Sequence, residues 1–168
     1  MLHDCTLLLP LGLKIAIAGL LLLAAARDLM TRTVPNWIPV SLTVFSIASA
    51  AANFRLLWGL GFGLTIFLVC IICWQRGWMG GADVKLLGGA AVVVAPSDTE
   101  TFLLAVTLCG GVLALAYLAG RFVLPRPAAK RPRRLLARVL RVEAWRIRHH
   151  GPLPYACAIA VGTLFVLS

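Results

Sequence analysis

An all-α, polytopic membrane protein of about six transmembrane helices is the fold this sequence predicts. Composition, the spacing of apolar runs and the placement of charge carry that prediction. Of the 168 residues, 61% are hydrophobic, and the mean hydropathy of +0.93 is too apolar for a domain with a wetted surface. A bilayer core of about 30 Å needs about 20 apolar residues per helix, and runs occur near 8–27, 38–54, 57–74, 84–95, 101–120 and 153–167. The fourth is short, bounded by Asp83 and Pro96, and is expected to extend back through Asp83 or to sit in a locally thinned bilayer. No internal repeat appears, so one membrane-embedded domain over residues 1–168 suffices.

Charge sets the expected orientation. The net charge is +10, and ten of the sixteen Lys and Arg residues lie between Arg121 and Arg148. Placing this segment in the cytoplasm by the positive-inside rule puts Arg27, Arg32, Arg76 and Lys85 on the same side, fourteen of sixteen in all. Both termini then face outward, Lys14 is left inside the first apolar stretch, and Trp37, Trp58, Trp74 and Trp78 fall at span ends, as interfacial aromatics do. A cleaved signal peptide carries its positive charge before its apolar run. Here Arg27 and Arg32 follow it, so the first run is read as a retained helix.

The basic cytoplasmic loop 121–152, between helices 5 and 6, is the one large polar insert. Apolar residues at 135, 136, 139, 140 and 142 alternate with arginines, the pattern of an amphipathic helix on an anionic lipid surface. Its confinement to one loop argues against a nucleic-acid partner. His149 and His150 have no carboxylate or cysteine spaced to join them, and Cys70-x-x-Cys73 lacks the second pair of a zinc ribbon. No metal site and no cofactor are expected, and the cysteines read as small hydrophobes.

Two acids stand where acids are costly. Asp28 ends the first apolar run, and Asp83 lies in the bend Gly80-Gly81-Ala82-Asp83-Val84-Lys85. An ionisable group at membrane depth costs roughly 2.5–3.5 kcal/mol on insertion scales and usually has a function. The topology places both at the cytoplasmic face, and Gly77, Gly80 and Gly81 permit the positive φ angles and close backbone approach of a tight bend that could bring Asp83 to Asp28. Two neighbouring carboxylates tend to share one proton: the ionised member can activate water while the protonated member donates to a peptide carbonyl. Other readings stand beside this one. Asp28 could pair with Arg32 at the interface, Asp83 could be a first-turn acid favoured by the helix dipole, or the two could line a proton or cation path.

Asp28-Leu29-Met30-Thr31-Arg32-Thr33-Val34-Pro35-Asn36 resembles the D-x5-[IV]-P-N segment, and Gly80-Gly81-Ala82-Asp83 the G-x-G-D segment, of type IV prepilin peptidases, which are intramembrane aspartic proteases. Pro154-Tyr155 is similar to the proline-tyrosine opening of that family's last helix. The resemblance implies a catalytic pair of Asp28 and Asp83, no metal, and a prepilin or pseudopilin substrate whose basic leader is cut on the cytoplasmic face of the bacterial inner membrane. It also implies that Pro35, Asn36, Gly80, Gly81 and Lys85 shape the site or meet substrate. Ala82 replaces the second motif glycine. Trp37 follows Asp28 by only nine positions, leaving no room for the cysteine-rich insert that larger members associate with N-methylation. The chain therefore resembles the minimal, peptidase-only branch serving Flp or Tad-type pili. The competing functions are a small ion-coupled transporter subunit and a non-catalytic pilus-assembly scaffold.

Overall fold

The computed structural model describes residues 2–123, 141–142, 144–147 and 153–167, and among these all regular structure is helical. Six principal helices follow in order: α1 (Leu2–Thr31), α2 (Trp37–Ala52), α3 (Leu56–Gln75), α4 (Gly81–Ala91), α5 (Thr99–Val123, entered through a 3-10 turn at Pro96–Asp98) and α6 (Tyr155–Leu167). Each coincides with one apolar run. The helices Leu56–Gln75 and Pro96–Phe122 are long and apolar enough to cross a membrane, and α2 and α6 are shorter apolar helices. The predicted amphipathic helix of loop 121–152 lies largely outside the described residues, as do His149 and His150. Within the loop, 141–142 and 144–147 are helical.

The helix ends follow from local sequence. After Thr31 the chain turns through Arg32, a non-glycine residue at φ +56° whose N–H donates to the Asp28 carbonyl at 2.9 Å. This is a left-handed C-terminal cap closed by a single hydrogen bond. Pro35 then prevents helical continuation. α3 ends with Gly77 at φ +74°, while Gly77 N–H bonds to the Trp74 carbonyl and Trp78 N–H to that of Cys73, both at 2.9 Å. That pair of bonds makes a Schellman motif.

The fourth run behaves as a short, buried helix. α4 starts at Gly81 and so includes Asp83; it packs against α3 and α2, and less extensively against α6. α6 in turn packs against α5 and α1. The core is drawn from all layers, with Ile17 and Leu21 of α1, Ile38 and Leu42 of α2, Leu86 of α4, Phe102 of α5 and Ile159 of α6 buried together. The exterior is apolar as well: Leu57 is 89% exposed and Phe122 83%. Surface of this kind needs an apolar surrounding.

Lys14, the cation inside the first apolar stretch, has a structural partner. Its Nζ donates to the Leu167 carbonyl of α6 at 3.1 Å, satisfying an acceptor at the negative end of that helix dipole.

Candidate active site

Asp28 stands in the last turn of α1, the unfavourable end of a helix for an acid. The compensation comes from another helix. The N–H of Ala156, in the first turn of α6, donates to Asp28 Oδ2 at 3.2 Å, so the carboxylate serves α6 as a cap in trans. Tyr155 and Cys157 N–H bond to the carbonyls of Leu153 and Pro154. Asp28 is only 8% exposed.

Asp83 occupies the third helical position of α4, with Gly80 as the N-cap residue. Its carboxylate folds back over Gly80, where an added Cβ would meet Asp83 Oδ2, in the direction a capping box reaches. The first-turn reading of Asp83 and the site reading are therefore compatible, since the first helical turn favours a negative charge.

Both aspartates line one cavity of about 740 Å³, whose wall includes Arg32 and Val34 from the turn after α1, Cys73 from α3, the 78–83 segment, and Leu153 and Tyr155 at the start of α6. The charges of Asp28 and Arg32 both reach Asp83. Arg32 Nη2 donates to the Tyr117 hydroxyl of α5 at 2.8 Å, and its guanidinium carbon lies 5.8 Å from that ring's centroid, within cation–π range. Tyr155 packs its ring against Gly110 of α5.

The three glycines divide between the two roles expected of them. Of the three, only Gly77 uses a positive φ; Gly80 is extended at φ −72° and Gly81 is helical. Close approach is what requires the other two. A Cβ on Gly80 would lie 2.9 Å from Asp83 Oδ2, and one on Gly81 3.3 Å from the Trp74 indole nitrogen. Gly80→Ala is accordingly expected to leave folding intact, because the φ suits alanine and a carboxylate can swing away. It should cut activity about tenfold or more by displacing Asp83. Wild-type melting with reduced cleavage is the expected result. Ala82, in place of the motif glycine, is an ordinary residue of the first helical turn, where alanine is favourable.

Two other predicted residues meet elsewhere. Lys85 Nζ donates to Asn36 Oδ1 at 2.9 Å, tying α4 to the start of α2, and leaves the Asn36 side chain without a capping role. Lys85 faces a separate apolar groove of about 430 Å³ between α2, α3 and α4. Pro35 lies in the loop leading to α2; neither it, Asn36 nor Lys85 lines the aspartate cavity.

The sequence offered Arg32 only as a surface partner for Asp28 and Cys73 only as a small hydrophobe; their places in the cavity wall, the contact of Arg32 with Tyr117 and the role of Arg146 were not legible. Arg146 Nη1 donates to the Leu29 carbonyl at 3.0 Å and Nη2 reaches that of Met30 at 3.5 Å. The basic segment thus covers orphan acceptors at the end of α1, beside Asp28. Arg146→Ala should cost about 1 kcal/mol of stability, read as a lowered melting temperature in detergent. Among the described residues no cluster of three or more His, Cys, Asp or Glu side chains is arranged to hold a metal ion.

Residues 15–115 match the model of the type IV leader peptidase family. No curated protein and no solved structure matches the chain. The matched segment contains both aspartates and Arg32; Tyr117, Arg146 and Tyr155 lie beyond it.

Proposed function

The chain belongs to the type IV leader peptidase family, and from that premise we propose that it is a membrane aspartic endopeptidase removing the basic leader of Flp/Tad-like prepilins or pseudopilins. The observation that carries the reading is the meeting of Asp28 and Asp83, from separate helices, in one cavity large enough for a backbone segment and water. In this reading the six helices are six membrane spans forming a single domain. Both termini lie outside, the cavity opens at the cytoplasmic face of the bacterial inner membrane, and loop 121–152 rests on anionic lipid.

The chemistry needs one proton between the two acids. The ionised carboxylate removes a proton from water as its oxygen bonds to the scissile carbonyl carbon, and the protonated carboxyl gives its proton to the carbonyl oxygen. The tetrahedral diol then collapses: the C–N bond breaks, the amine takes a proton from the acid that gained one from water, and the diol returns a proton to the other. The pair ends as it began and titrates as a unit. The Ala156 N–H holds the Asp28 carboxylate beforehand and the first turn of α4 places Asp83 over Gly80, which is preorganisation of the kind catalysis requires.

Co-expression with a candidate Flp-type prepilin tests the reading. The expected product is a faster-migrating pilin whose new N-terminus begins after the basic leader, with no N-methylation. Ion flux in vesicles without any peptide product would replace this reading with that of a transporter.

A further inference from the structure

We propose that Arg32 is a positioning residue for the aspartate pair, a fixed cation that holds the pair singly ionised so that one member is base and the other acid. This deepens the aspartic-peptidase reading and rests on it. Three features of the structure support the role.

Arg32 takes a left-handed backbone conformation, φ +56°, at a helix cap where glycine or asparagine is the usual occupant. Strain at a non-glycine position persists where the surroundings over-determine it. Its N–H closes the turn on the Asp28 carbonyl, so the same residue shapes the end of α1 and enters the cavity wall with Asp28 and Asp83. The guanidinium is also immobilised: Nη2 is bonded to Tyr117 and the group lies over that ring, while Nε and Nη1 are shielded from solvent. Arginine cannot deprotonate in a protein, so this charge is permanent.

The electrostatic consequence follows. Two neighbouring carboxylates, Asp28 buried and Asp83 half-buried, favour losing charge, and a doubly protonated pair has no base. One permanent cation beside them favours one negative charge. Among the described residues the other ionisable groups near the pair are Cys73 and, behind it, Cys70 of α3, Tyr155 and Cys157 of α6, and Tyr117 of α5. Arg146 is bonded to the Leu29 and Met30 carbonyls, Lys85 is drawn to Asn36, and Arg27 is exposed on the surface.

The test is the pH profile of kcat/KM for leader cleavage by the purified full-length protein in lipid nanodiscs, comparing wild type, Arg32→Lys, Arg32→Gln and Tyr117→Phe. Removing the cation makes the ionised carboxylate less favourable, so in Arg32→Gln the acidic limb moves to higher pH, by about one unit. That lowers kcat/KM about tenfold at a fixed pH on the limb, with KM little changed. Arg32→Lys keeps the charge and restores most of the profile; Tyr117→Phe, which loosens the guanidinium, shifts it partway. An Arg32→Gln limb at the wild-type pH, or a loss of equal size at every pH, overturns the proposal.

A second readout does not depend on turnover. The carboxyl C=O stretch of the pair, identified by its loss in Asp83→Asn, is titrated by infrared spectroscopy in wild type and Arg32→Gln. The protonated band should persist to higher pH in the variant, and an unchanged titration overturns the role of Arg32 whether or not the peptide is cut. Failure of wild type to cleave any prepilin, with the infrared shift intact, would overturn the peptidase reading alone.

Discussion

Asp83→Asn and Asp28→Asn are each expected to reduce leader cleavage to background while the protein accumulates at the wild-type level. A positioned acid or base contributes about a hundred- to ten-thousandfold, and the proposed chemistry uses both carboxylates in every turnover, so the losses should be equal and non-additive in the double variant. The amide is the informative replacement. In Asp28→Asn the amide oxygen can still accept the Ala156 N–H and Asp83→Asn keeps the side chain's size over Gly80, so the packing survives while the carboxylate's charge and its proton transfer are removed. Asp28→Ala, by contrast, loses the cap as well and should also melt lower. Immunoblots of a co-expressed prepilin, with detergent melting curves, separate these cases. Substantial processing by either Asn variant would sink the dyad.

The second large effect concerns folding. A Cβ on Gly162 of α6 would lie 2.6 Å from Val106 Cγ2, and 2.8 and 2.9 Å from the backbone nitrogen and Cα of that α5 residue. The methyl could rotate away; the backbone cannot without parting the two helices. Overpacking typically costs about 1–3 kcal/mol, and Gly162→Val, with two more carbons, should reach the upper end or beyond. Because α6 carries Tyr155 and the Ala156 N–H, the same shift opens the aspartate cavity. Expected are aggregation or a large fall in melting temperature, together with lost cleavage. Gly111→Ala, on α5 with nothing within 4 Å of the added carbon, is the control and should behave as wild type. Wild-type melting of Gly162→Val would contradict the α5–α6 packing.

The helices were legible because the apolar runs are long and their boundaries are marked by residues with local meaning: Pro35, Gly77 and the Gly80–Gly81 pair. The two aspartates were legible because a carboxylate at the edge of an apolar run has few structural excuses. What escaped was contact across the sequence. Nothing local to Lys14 says that its partner is the Leu167 carbonyl, and nothing local to Arg32 says that Tyr117 will hold it. At the glycines of the bend both torsion and proximity were expected, since a sequence reports the absence of a side chain without saying which of the two required it. Trp74 over Gly81 and Asp83 over Gly80 supply the answer. Ala82, which the sequence placed in a bend, stands in the first turn of α4, where alanine is unremarkable.

The bond from Ala156 to Asp28, spanning 128 positions, gives the chain an order of competence. A nascent polypeptide that has inserted α1 to α5 already contains both acids, Arg32 and Tyr117. It still lacks the donor that steadies Asp28 and the Tyr155 side of the cavity. In the proposed mechanism the site is therefore complete only once α6 has packed against α1 and brought the Ala156 N–H to Asp28.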